Sequence, residues 1–243
     1  MKFPINARID TTEGVTGFQE ALRDSYPVMR QEQQQLTIAL PPGLPPGLQV
    51  GATSGSLWRL SAIDEGWTVV LARDFVAIET SIYTSRDDFL SRFTEVMEAL
   101  TSADLAPTVI DRMGVRYIDR IEGEDMLRDL PLLVRTEVLG VGDVGLPSGS
   151  EMVASASQTH LRIEGMDIRA SWGLLPPNAV MLPGLDGVDV KSWVFDVDVY
   201  AERTKPFSVE GAVQDAEIAT DHAYRLFRWA VTDEFLRQHG GDV

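Results

Sequence analysis

Residues 57–83 read LWRLSAIDEGWTVVLARDFVAIETSIY, and this stretch decides the fold class. Trp58 and Leu60 lead into Asp64-Glu65-Gly66, a turn signal. Trp67, Val69 and Leu71 alternate with their neighbours up to a second turn at Arg73-Asp74. In the third segment Val76, Ile78, Thr80 and Ile82 share one face, and Ala77, Glu79, Ser81 and Tyr83 share the other. Alternation at period two, punctuated by acid-glycine turns, is the mark of antiparallel strands joined by hairpins. The stretch predicts a three-stranded meander.

Downstream, Phe89, Phe93, Val96, Met97 and Leu100 fall at helical spacing, with Asp87 or Asp88 placed to cap the first turn. Strand character resumes over 109–121, and a shorter helix over 125–138 is weakened by Pro131. The run GVGDVGLPSGS (140–150) breaks the chain into two halves, 1–139 and 151–243. In the second half, strands over 152–163 and 167–175 form a hairpin about Glu164-Gly165. A strand at 193–200 follows, and then a long helix over 209–238 with Ala216, Ala219, Ala223, Leu226, Phe227, Ala230 and Val231 inward. Upstream, Phe3, Ile5, Ala7 and Ile9 alternate as a strand does, a helix runs through Phe18 and Leu22, and residues 41–55 (PPGLPPGLQVGATSG) read as a long loop. Trp172, Trp193 and Trp229 sit among apolar neighbours and are read as core, as are Trp58 and Trp67. Each half is a meander followed by a helix. The strand before each helix carries an acid four residues ahead of a tyrosine, Glu79 before Tyr83 and Asp196 before Tyr200, a pattern expected of an internal duplication. The fold class expected is α+β, with antiparallel meanders in one or two curved sheets, each covered by a helix.

Composition narrows the function. Thirty-seven acids against twenty-one bases give a formal charge of −16, which repels a phosphate backbone, so nucleic acid is not an expected partner. No run nears the roughly 18–20 apolar residues that span a bilayer, and Pro4, Asn6, Arg8 and Asp10 interrupt any apolar leader, so the expectation is a cytoplasmic protein without membrane contact. With no cysteine, disulfides, thiolate nucleophiles and cysteine-bound zinc are excluded.

The segment WRLSAIDEGWTVVLARDFVAIETSIYTSRDDFLSRF (58–93), then MGVRYIDRI (113–121), then FDVDVY (195–200) ahead of the last helix, resembles a sporadically distributed, uncharacterised bacterial family of chains of about this length. Its clearest motif is Arg112-Met113-Gly114-Val115-Arg116-Tyr117-Ile118-Asp119-Arg120. Where that family often has a tryptophan after the position of Tyr83, this chain has Thr84-Ser85-Arg86. The resemblance implies the element boundaries and a bacterial source. It carries over no catalytic residue.

The segment 109–121 holds the main candidate site. At period two, Arg112, Arg116 and Arg120 share a face with Gly114 and Ile118, each arginine about 13 Å from the next at the strand rise. Val109, Met113, Val115, Tyr117 and Ile121 take the other face. Guanidinium groups suit carboxylate and phosphate, so one reading is a pocket for an anionic small molecule or an acidic peptide. The other is internal pairing with Glu79, Asp196 and Asp198 on neighbouring strands, since a desolvated charge needs a partner. Tyr83 and Tyr200 stand beside those acids and complete the candidate set.

Other signatures are weak. Asp196 and Asp198, about 7 Å apart along one face, suggest acid/base or cation chemistry only in outline. His160, His222 and His239 form no ligand pair, and Gly140-Val141-Gly142-Asp143-Val144-Gly145 is followed by Leu146-Pro147, which does not open the helix a dinucleotide site needs. No catalytic residue, metal or cofactor is assigned. The expected function is a non-enzymatic binding or interaction protein, taking an anionic ligand at the arginine face or a protein partner at an exposed sheet edge, and compatible with a homodimer. The rival is an enzyme acting on a small polar substrate through Asp196, Asp198 and an arginine.

Overall fold

Turn chemistry lays out the strands. The structure is a computed structural model describing residues 1–36, 52–140, 146–180 and 185–239, with the side chains of 33–36 and 52–54 outside that description. Between β2 (Ala52–Ser61) and β3 (Trp67–Ala72), Glu65 takes φ 56° and the Gly66 amide donates to the Asp64 carboxylate at 3.1 Å. Between β6 (Ser157–Ile163) and β7 (Met166–Leu175), Glu164 and Gly165 have φ 49° and 82°, and Ile163 faces Met166. In the second of these, two central residues at positive φ make the tight turn whose twist matches its flanking strands.

β3 then pairs with β4 (Phe75–Thr80), while β1 (Val28–Leu36) pairs with β2. The second group adds β5 (Val109–Glu122) and β8 (Ser192–Pro206). The result is two four-stranded antiparallel sheets, ordered β1-β2-β3-β4 and β5-β8-β7-β6. With the helices α1 (Thr12–Leu22), α2 (Arg86–Ser102), α3 (Glu124–Leu133), α4 (Thr136–Leu139), α5 (Val209–Ala230) and α6 (Asp233–His239), the fold is α+β. The chain divides into two compact units, 1–113 with 202–216 and 114–201 with 217–243, so the division falls within β5, β8 and α5.

In the first unit α2 buries Phe93, Val96, Met97 and Leu100 of the expected stripe, with Leu90 buried in place of the half-buried Phe89. It lies on β3, with the Phe89 ring 6.0 Å from Trp67 and the Arg92 guanidinium 4.6 Å over the same indole. Its N-cap is Ser85, whose hydroxyl accepts from the Asp88 amide at 3.1 Å, rather than Asp87 or Asp88. Those two acids lie within the first turn, where they favour the positive end of the helix dipole. In the second unit Ala219, Ala223 and Ala230 of α5 are buried.

Several expectations are overturned. Phe3 to Ile9 is no strand: Asn6 accepts from the Arg8 amide at 3.1 Å and starts a 3-10 turn, Ala7–Asp10. The indole of Trp58 holds that turn by donating to the Ile9 carbonyl at 2.6 Å. Residues 52–55 belong to β2, and the rest of the expected loop, 41–51, lies outside the described residues, as do 141–145 of the glycine-rich run. β4 ends at Thr80, β6 starts at Ser157 rather than at 152, and β8 continues to Pro206. The helix expected over 125–138 is two, parted at Val134-Arg135. The one expected over 209–238 breaks at Val231-Thr232, because the Ala230 carbonyl accepts from Arg135 and Thr232 becomes the cap that accepts from the Phe235 amide at 3.3 Å. Trp229 is not core, being 41% exposed.

Candidate functional site

Segment 109–121 is extended, as expected, but a bulge interrupts its start. The Lys2 carbonyl accepts from both Asp111 (2.9 Å) and Arg112 (3.3 Å), and the Lys2 amide donates to the Arg112 carbonyl at 2.7 Å. Two residues facing one re-phase the strand. Ile110, rather than Val109, is therefore buried in step with Met113, Val115 and Ile121.

The three arginines have separate local partners. Arg116 forms a two-pronged pair with Asp196, Nε to Oδ1 at 2.7 Å and Nη2 to Oδ2 at 2.9 Å, with side chains 34% and 7% exposed. Those hydrogen bonds, then the nearby charges of Asp196 and Asp198, hold the guanidinium above its ordinary pKa. Arg120 is mostly buried and donates to the Asp186 carbonyl at 2.7 Å. Arg112 stands 3.7 Å from Glu202 in the first unit. It borders an open cleft of about 400 Å³ with Lys2, Arg203, Asp74, Asp111 and Glu202, where cations and acids balance. Glu79 does not meet the β5 arginines: it lies 3.5 Å from Arg59, which also takes Glu32 at 3.1 Å. Tyr83 is exposed with its ring 6.4 Å from Phe89, whereas Tyr200 is buried under Arg169 at 5.2 Å. Of the eight residues expected to form a site, Arg116 and Asp196 pair directly, with Asp198 close enough to act on the Arg116 charge.

Asp119, between Ile118 and Arg120, was not singled out by its pattern. Burial alone pushes its carboxyl up to about 6. His160 reaches Asp167 at 2.8 Å, and buried His222 lies 3.8 Å from the Glu164 carboxylate. Among the described residues no cluster of three or more His, Asp or Glu could hold a metal ion, and no helix is long and apolar enough to cross a membrane.

A second cavity is apolar and more enclosed. In the second unit, where α5 overhangs one face of β6 and β7, a cleft of about 360 Å³ is lined by Thr159, Leu161, Ala170, Trp172, Phe195, Leu226 and Trp229, with Glu137 of α4 the one ionisable residue among the described lining. Ala170 and Trp172 lie opposite Thr159 and Ser157 across the β6–β7 ladder, so the floor is the face that the odd residues of β6 share with the even residues of β7. Leu161 and Trp229 stay 43% and 41% exposed at its rim. The Trp172 indole N–H is buried without a hydrogen-bond partner among the described residues. Concave, apolar and with few polar groups, the cleft has the makeup of a binding site. It escaped the sequence because its walls come from five elements.

The structure thus defines an α+β chain whose arginine strand is internally paired and whose second unit carries an apolar cleft at a sheet edge. No protein-family description, curated protein or solved structure matches the chain.

Proposed function

We propose that the protein is a non-enzymatic interaction protein, and that its second unit takes up a segment of a polypeptide partner at the apolar cleft. The observation that carries this reading is the cleft itself: large apolar side chains left partly in water around a concavity with one ionisable group. Exposed aromatic and aliphatic groups gathered at one place mark interaction surfaces, and tryptophan is prominent among residues that dominate binding. The arginine face supports the anionic-ligand reading less well. Asp196 already holds Arg116 through two of its N–H groups, and the cleft beside Arg112 is lined by as many acids as cations.

The reading is tested by panning the full chain against displayed random linear peptides. Enriched peptides should lose about tenfold or more in affinity on Trp229→Ala, the effect of losing one hot-spot side chain. Glu79→Ala, on an exposed pair in the first unit, should leave them bound. No enrichment, or indifference to Trp229, would refute the reading.

A further inference from the structure

Resting on that reading, we propose that the partner segment is extended and adds to the outer edge of β6 as a further strand, seating one large apolar side chain in the cleft with a lysine or arginine two residues along, on the same face, toward Glu137. Three independent observations converge on this occupant. β6 closes its sheet on one side: it pairs with β7 alone, and among the described residues no other backbone hydrogen-bonds to it. Every second residue of such a strand directs its N–H and C=O outward, a template that only another extended backbone satisfies along its length.

The edge also lacks the usual protection. Its seven residues, SQTHLRI, include no proline and no lysine. Its two basic side chains, His160 and Arg162, are drawn back over the sheet by Asp167 of β7, at 2.8 and 3.1 Å. Natural edges are commonly blocked by proline, by a bulge or by a projecting charge. Here each residue of β6 from Ser157 to Ile163 has a partner on β7 without a shift in register.

The third observation is the placement of the cleft. Thr159 and Leu161 of β6 line it, so alternate side chains of an added strand would stand over the same face, one strand-spacing further out. Backbone bonds then supply affinity and the cleft supplies selectivity for one bulky residue. Glu137, in a chain of net charge −16, favours a basic side chain two residues from that one, on the same strand face, and disfavours a second copy of this chain as occupant.

The probe is a synthetic peptide of seven residues, matching β6, with lysine, leucine and lysine at its second, fourth and sixth positions, which share one face, and threonine at the others. It should bind the full chain and slow amide exchange along β6. N-methylating the set of alternate amides that faces β6 should weaken binding about tenfold or more, while methylating the other set should change it by less than about threefold, because only one set lies in the ladder. Glu137→Lys should lower affinity for this peptide and raise it for the leucine–glutamate counterpart. Equal effects of the two methylations, absence of β6 protection, or a chain that sediments as a dimer paired through β6 would overturn the inference. Displayed peptides that depend on Trp229 yet leave β6 unprotected would sink the strand addition and spare the interaction function. Loss of Trp229 dependence would end both.

Discussion

At the scale of single residues, Asp196 is the most constrained carboxylate of the second sheet. Its side chain is 7% exposed and both oxygens are taken by Arg116. Removing the guanidinium strands a buried charge, which costs more than the pair itself is worth. Arg116→Ala should therefore destabilise the chain by about 2–4 kcal/mol in urea unfolding, toward the lower side for a buried pair because Arg116 keeps part of its surface in water. A substitution that left the midpoint unchanged would show the pair to be ornamental. Asp119 gives the opposite lesson. With a folded pKa of about 6 against an ordinary 3.8, the folded chain holds this proton more tightly than the unfolded chain. The contribution of the protonated group is complete below the ordinary value and is lost as pH rises through about 6, so stability should fall between about pH 4 and 6 from this source. Asp119→Asn should flatten that slope and stabilise the chain at pH 8. If the substituted and parent chains titrate in parallel, Asp119 is not the cause.

At the scale of elements, local turn chemistry and long-range pairing part company. The hairpins about Glu65-Gly66 and Glu164-Gly165 were legible because the acid-glycine dipeptides themselves supply positive φ. β1 was not legible: VMRQEQQQL has no alternating apolar face, and its strand is imposed by β2, against which it pairs from Val28 onward. At the N-terminus the alternation of Phe3 to Ile9 misled, because the Asn6 side chain diverts the backbone into a turn. Two substitutions probe these elements. In Gly165→Ala no atom lies within 4 Å of the new Cβ, so the cost is backbone strain at φ 82° alone, about 1 kcal/mol. Gly114→Ala instead places a Cβ 2.7 Å from that of Tyr200 and 2.9 Å from the Val199 carbonyl, forcing the strand apart at about 1–3 kcal/mol. Thermal unfolding of the two variants should rank them in that order; a reversed order would contradict the assigned causes.

At the scale of the whole molecule, the α+β class followed from the meanders, whereas the site did not follow from any one segment. Arg112, Arg116 and Arg120 could be picked out because one strand carries them, and Arg116 found the expected Asp196. The cleft was invisible because Leu161, Trp172, Phe195, Leu226 and Trp229 are separate in sequence and gather only when α5 lies over β6, β7 and β8. Two of these are side chains that a core-building reading places inside, and their exposure is the information that sequence periodicity lacks. The most direct test of the account is the binding isotherm of one display-selected peptide to the parent chain and to Leu161→Asp, a change at an exposed rim position. The account predicts saturable binding to the parent, loss of about tenfold or more in the variant, and an unchanged unfolding midpoint. Equal affinity for the two chains would contradict it.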